Sequence, residues 1–348
     1  MFAFASSPLA AHADRRQWLR GLAGAALLAT PVKAATDGGV LLRVSHVVAQ
    51  ETPKGLATSR FKALLEQRSG GRIQVRIYPD SQLYSDHDEI QALQLGAVEM
   101  LAPSLSKFGR IGFPEFELFD LPFLFTDVAA VRRITQGPLG QRMLGRLSRQ
   151  GIVGLGYFDN GFKQMSANQP LLEPTDFVGL RMRVQASRVI AAQMRALGAQ
   201  PVTLAFSETR RALAAGVVDG TENPISNFWT QRMHEVQTDL SLTAHGYLGY
   251  AVVLNQRFWL SLSARDQALV SQALRDAVVF SHQMADIQNQ QALDALREAG
   301  TTRIHIPSPA QRQRLRQAVE PVHQALSLRI GAQWMTEVNA TLTPSISG

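Results

Sequence analysis

Three short glycine-marked segments set cations and carboxamides where they could hold an anion. The first ends in Asn160-Gly161-Phe162-Lys163, a turn signal followed by a lysine. The second is Gly179-Leu-Arg-Met-Arg-Val-Gln185, and the third runs from Asp219 to Asn227 through Glu222-Asn223-Pro224. A guanidinium offers a planar donor fork that matches a carboxylate with two parallel hydrogen bonds. Strand alternation puts Leu180, Met182 and Val184 on one face and Arg181 and Arg183 on the other. Pro224 confines Asn223 to an extended conformation and so gives its side chain a defined direction. An amide there, with a second at Asn227, donates to a carboxylate without adding charge. The chemistry these residues suit is recognition of a small carboxylate.

Bond-making chemistry has weaker support. Ser59 with Lys62 and Ser104 with Lys107 match a Ser-x-x-Lys spacing, but the Ser-Asp-Asn and Lys-Thr-Gly partner motifs are missing from the sequence. Asp86-His-Asp-Glu89 offers metal-ligand residue types, yet acidic residues at a helix start suit the macrodipole, and a solvated helix end is expected there. The sequence has no His-Glu-x-x-His, Gly-x-Ser-x-Gly or phosphate-binding loop, and Gly151 to Gly156 has the wrong spacing for a dinucleotide fingerprint. Without cysteine, thiol nucleophiles and cysteine-ligated zinc are excluded. No catalytic residue, metal or cofactor is expected. The formal net charge is +7, but the cations are scattered and form no nucleic-acid motif, so nucleic acid is not an expected partner.

The elements that must position these residues read as α/β. Residues 40–45 form a strand, and Pro53 opens a helix to about residue 69 that Gly70 and Gly71 stop. Residues 73–78 alternate as a strand, 86–95 read as a helix and 98–102 as a buried strand. A second α/β unit follows, with strands at 152–157 and 181–184, helices at 188–197 and 209–215, and a short strand at 217–219. Residues 264–298 lack glycine and proline, with Ser263 as a start and Gly300 as a stop. As one helix they would run roughly 50 Å, longer than a single lobe. The bland alternative is two consecutive helices. A chain of 348 residues accommodates two domains.

The amino terminus reads as an export signal. Arg15-Arg16 and Arg20 precede an apolar run from Gly21 to Ala29 and a small-x-small site at Val32-Lys33-Ala34. The run is too short to span a bilayer. The paired arginines with Trp18-Leu19 are similar to a twin-arginine signal, and cleavage is expected near Ala34 or Ala35. Removing residues 1–34 takes four cations and one carboxylate, leaving a net charge near +4.

Across residues 40–335 the chain resembles the solute-binding proteins of TRAP transporters, in the DctP branch that captures C4-dicarboxylates. The resemblance is carried by Ser45-His-Val-Val48, Thr52-Pro-Lys-Gly55, Tyr78-Pro-Asp-Ser-Gln-Leu83, the segment 102–108, Phe119-Asp-Leu-Pro-Phe-Leu-Phe125, Ala205-Phe-Ser-Glu208 and His245-Gly-Tyr-Leu-Gly-Tyr250, in that order. It implies a two-lobed periplasmic binding-protein fold, with crossing strands, a central cleft and a long helix bracing both lobes. We place lobe I at 36–160 plus 249–288 and lobe II at 161–248 plus 289–341. The resemblance also implies a monomer that delivers its carboxylate to a permease of two integral membrane components. It assigns the main carboxylate clamp to Arg183, a further contact to Asn223, and a ligand-directed cation to Lys163. Many relatives carry Trp where this chain has Phe158, which leaves a contact from that ring open. A C4-dicarboxylate needs a second cationic pole, and His46, Lys54 and Lys107 are the candidates on the first lobe. Lys54 sits in a helix first turn whose free N–H groups already favour an anion. Phe206 is placed to pack on the ligand's carbon chain. The same fold could hold an aromatic or sugar acid. An exported enzyme with a cofactor is the rival from another class.

Overall fold

The computed structural model describes residues 39–343. The export signal and its cleavage site lie outside the described residues. The strands are β1 (Val40–Ser45), β2 (Ile73–Tyr78), β3 (Met100–Leu101), β4 (Ile152–Ala167), β5 (Arg181–Val184), β6 (Gln200–Thr203), β7 (Gly220–Asn223), β8 (Asp239–Asn255) and β9 (Arg303–His305). They form one mixed sheet in the order β2-β1-β3-β8-β4-β7-β5-β6, with β9 on β8. The parallel groups β2-β1-β3 and β7-β5-β6 lie at opposite ends, as crossover connections require.

Between them run the two long antiparallel strands β4 and β8, paired from Ile152↔Asn255 to Ala167↔Asp239. The carboxyl half of β8 pairs with β3, and the carboxyl half of β4 pairs with β7. Each long strand therefore belongs to one sheet end in one half and to the other end in its second half. The register slips between Asp159 and Gly161 and again between Lys163 and Met165. Such bulges bend a strand and raise its local twist.

The helix Ala264–Ala299 is a single element, capped by the Ser263 hydroxyl on the Asp266 N–H and ended by left-handed Gly300. At 1.5 Å per residue it is about 54 Å long. Its buried positions keep helical spacing along the whole length. Val270, Ala273, Leu274 and Ala277 pack with Leu42, Phe61, Leu65 and Val75 around β1 and β2. Ala292 and Leu296 pack with Val218, Ile225, Phe228 and Leu240 in a separate cluster. The brace expected from the sequence is therefore one helix that contributes to two cores, and the two-helix alternative is set aside.

Four expectations are corrected. The strand at 217–219 lies instead at Gly220–Asn223, because Met182 and Arg183 of β5 pair with Gly220 and Thr221. The strand at 152–157 continues to Ala167, and the turn signal at Asn160-Gly161 is a bulge within it. Gly161 has φ +128°, and a Cβ there would lie 2.9 Å from the Asn289 amide nitrogen of the long helix. Glycine is needed at that point for both conformation and space. The helix expected from residue 86 begins at Glu89, and its start is solvated only in part: His87 and Asp88 are exposed, whereas Glu89 is fully buried. The reason is a buried partner, Lys107, described below.

Candidate functional site

A cavity of about 400 Å³ of interatomic space opens where the two sheet ends meet the bulged strands. Arg183, Lys163, Asn223, Asn227, Lys107 and Phe206 all line it, so six of the eight residues singled out from the sequence converge. Asp86, Gln185, Glu222 and Tyr250 share the wall, with Val47, Val48 and Leu248 as apolar surface.

Arg183 is presented by β5, whose alternation buries Met182 and Val184 in the core behind. Its Nε and Nη2 donate to the Leu204 carbonyl at 3.1 and 2.8 Å, and the guanidinium lies 5.7 Å from the Phe206 ring centroid. It makes no ion pair with any described carboxylate, although it is only 3% exposed. Burial draws its pKa below the ordinary arginine value, against the pull of Asp86 and Glu222. The guanidinium is thus a buried cation fixed by a neutral carbonyl, and its planar fork is of the kind that can pair with a carboxylate.

The lysines are arranged differently. Lys107 is bonded to Asp86 and Glu89, both on the acidic segment 86–89. Burial alone would lower the Lys107 pKa, but these two carboxylates raise it. Asp86 is held well below the carboxylate range by Lys107 in spite of its burial, and it also accepts from the Phe206 N–H at 2.7 Å. Burial raises the Glu89 carboxyl. Lys163, projected by the β4 bulge, lies 3.0 Å from Glu222 and 3.8 Å from Asp120. Burial works to raise the pKa of Glu222, but Lys163 and His245 outweigh it. Asp120 is pushed up to about 6 by burial, against Lys163. Each lysine on the wall thus brings its own counter-charge.

Asn223 closes β7, and its amide nitrogen donates to the Thr221 hydroxyl at 3.3 Å. Asn227 sits one helical turn later and accepts from the Asn160 side chain at 3.0 Å. Asn289 of the long helix then donates to the Asn160 carbonyl at 2.6 Å and accepts from the Ser226 N–H at 3.0 Å. A polar chain therefore links the cavity wall to the β4 bulge and the bracing helix.

Two candidates lie off the wall. Lys54 is fully buried behind Tyr250, its ammonium 3.8 Å from that ring's centroid and 3.1 Å from the Ala102 carbonyl. Burial pushes it down to about 7 against the pull of Glu89. His46 is fully buried with both ring nitrogens unpartnered, and burial with nearby Lys54 pushes it down to about 3. A histidine held neutral is no cationic pole. Its neighbours Val47 and Val48 reach the cavity instead. Phe158 is a core residue of the β1–β2 side, away from the wall.

The sequence reading missed the carboxylates. Asp86 and Glu222 are wall residues, and Glu89 and Asp120 neutralise cations just behind them. The signal was present in Asp86-His-Asp-Glu89 and in Glu222 beside Asn223, but nothing local says that such residues are buried. Among the described residues no cluster of side chains could hold a metal ion. No described helix is long and apolar enough to cross a membrane.

Residues 44–329 match the family described as bacterial extracellular solute-binding protein, family 7, DctP. The C4-dicarboxylate-binding periplasmic protein DctP of Rhodobacter capsulatus is 46% identical over 326 residues, 93% of this chain and 98% of that protein. A TRAP periplasmic solute-binding protein from Shewanella oneidensis, solved with bound succinate, is 40% identical with a TM-score of 0.85, covering 88% of this chain and all of that one. The sugar acid binding protein DctPAm from Advenella mimigardefordensis, solved with galactonate, shares the TM-score of 0.85 at 28% identity, covering 87% of this chain and 98% of that one.

Proposed function

The chain belongs to the DctP family of bacterial extracellular solute-binding proteins, and on that premise we propose that it captures a C4-dicarboxylate such as succinate, malate or fumarate. The observation that carries the reading is Arg183, a buried guanidinium on the cavity wall whose bonded acceptor is a neutral carbonyl. One ligand carboxylate meets its fork, with Asn223 and Asn227 beside it. The second carboxylate meets Lys163 or Lys107, sharing those ammonium groups with Glu222 and Asp86. Phe206 packs on the carbon chain. A small dianion has little apolar area, so charge-assisted hydrogen bonds in a water-poor cleft supply the affinity. The protein binds and releases its ligand without chemistry of its own.

Closure on the ligand joins the two lobes, whose boundary we put at the β4 bulge and the facing stretch of β8. The register slip at Asp159 and Gly161 supports that boundary. We place the mature protein in the periplasm as a monomer that passes its ligand to a two-component TRAP permease. Exported protein whose intact mass retains residues 1–30 would refute cleavage near Ala34.

A thermal-shift panel on the mature protein tests the ligand class, setting succinate, malate and fumarate against monocarboxylates, aromatic acids and sugar acids. A ligand at a hundred times its dissociation constant adds about 2.7 kcal/mol, which moves the midpoint by several degrees. A shift confined to the C4 diacids supports the reading, and silence from every acid overturns it. One feature favours a second reading, a hydroxylated sugar acid: Asp86 and Glu222 put carboxylate acceptors on the wall. A shift with galactonate and none with succinate would select it.

A further inference from the structure

The inner cavity has little reach into solvent. Arg183, Lys163 and Lys107 are offset by the buried Glu89, Glu222 and Asp120 and by the partly buried Asp86. A ligand several ångströms outside meets a nearly neutral wall, and a solvent Debye length of about 8 Å weakens what field remains.

The cleft does not end at that wall. Asp86 and Lys107 also line an outer groove with His87, Arg110 and Ala186. His87, Arg110 and Ala186 recur in an adjoining groove beside Arg188, Arg195 and Thr203. Shared residues therefore make one path from solvent to cavity. Arg110, Arg188 and Arg195 are exposed, and none is paired with a carboxylate among the described residues. Arg110 rides on the 3₁₀ segment that carries Lys107, whereas Arg188 and Arg195 belong to the helix Arg188–Ala196 across the groove. The sole carboxylate lining either groove is Asp86, already bonded to Lys107 and the Phe206 N–H.

We propose that Arg110, Arg188 and Arg195 form an outer anion site, where a small dicarboxylate dwells before it enters the cavity. The inference rests on the carboxylate reading above and extends it to a second site. Exposed, unpaired arginines at a cleft mouth raise the local concentration of an anion and its association rate, and salt weakens the effect. They add little to final affinity, because they remain hydrated.

The test is stopped-flow mixing of the mature protein with succinate, followed by intrinsic fluorescence at several ionic strengths. The variant Arg110→Gln/Arg188→Gln/Arg195→Gln is compared with Arg211→Gln/Arg265→Gln/Arg275→Gln, which loses the same charge at exposed positions elsewhere. At low salt the first variant is expected to associate at least fivefold more slowly than wild type. Its dissociation rate should stay within twofold, its salt dependence should flatten, and the control should keep at least half the wild-type rate. Equal slowing in both variants, an effect confined to dissociation, or no change would overturn the outer site. Lost uptake with an unchanged association rate would assign the arginines to the permease and overturn it as well. Wild-type protein that binds none of the acids removes the ligand reading and this inference together. Wild-type protein that binds while the triple variant keeps its rate removes this inference alone.

Discussion

Arg181 and Arg183 lie two residues apart on β5, on the same face of the strand, yet only Arg181 has a carboxylate partner. Arg181 holds Asp219 through its Nε at 3.0 Å and its Nη2 at 2.6 Å, whereas Arg183 holds only the Leu204 carbonyl. Arg181 is at the strand's rim and its charge is already answered. Arg183 is two positions deeper, where a ligand anion can still answer it.

Arg183→Ala is therefore expected to weaken dicarboxylate binding at least 100-fold, about 2.7 kcal/mol, while circular dichroism stays native. Arg183→Lys should not restore affinity, because a point charge does not reproduce the fork. Arg181→Ala should bind within threefold of wild type and change stability little, since an exposed ion pair is screened by solvent. Calorimetric titration separates the two, and equal losses would contradict the assignment.

Lys107 is a buried cation between the fully buried Glu89 and the partly buried Asp86. Lys107→Met leaves both uncompensated, and removing one side of such a buried pair costs about 3–5 kcal/mol. Urea denaturation should show that loss. Lys107→Met/Glu89→Gln should recover part of it, since the more deeply buried of the two carboxylates is then neutral. A Lys107→Met protein of wild-type stability would mean the cluster is hydrated.

Asn289 ties the bulge of β4 to the segment that carries Asn223 and Asn227. Asn289→Ala strands the Asn160 carbonyl and the Ser226 N–H, so a stability loss of about 1–3 kcal/mol is expected. Ligand affinity should fall too, although residue 289 does not line the cavity. Gly161→Ala should be worse, because φ +128° strains any Cβ and the nearest atom is the Asn289 amide. Unchanged affinity in Asn289→Ala would remove the link to binding.

His46 makes stability depend on pH. It stays neutral in the fold to about pH 3, whereas the unfolded chain takes up the proton near 6.5. The unfolded state thus binds more protons between those values. The contribution of His46 is complete above about pH 6.5 and is lost as pH falls toward 3, with a slope of up to about 1.4 kcal/mol per pH unit. Asp120, pushed up to about 6, runs in the opposite sense between about 4 and 6. His46→Gln should narrow the gap between thermal midpoints at pH 5 and 7.5, and an unchanged gap would place the proton elsewhere.

Much of this protein is legible in one dimension because local rules govern it. Ser263, the glycine-free run after it and Gly300 specify a helix through capping and backbone entropy, and that helix forms from Ala264 to Ala299. Strand alternation alone put Arg183 opposite the core-facing Met182 and Val184. The strand β8 escaped the reading because its buried run from Tyr247 to Leu254 has no alternation, as a strand covered on both faces does not need it.

Tertiary structure decided which charges are spent. Lys54, Lys107 and Lys163 look alike in sequence, but one lies behind Tyr250, one between Asp86 and Glu89, and one against Glu222. Those partners come from 18 to 59 residues away or across a ring on another strand. Residue type and period determine which way a side chain leaves its own element. Whether its charge remains available depends on what the packed chain brings opposite it, and desolvation makes that pairing obligatory only once the core has formed.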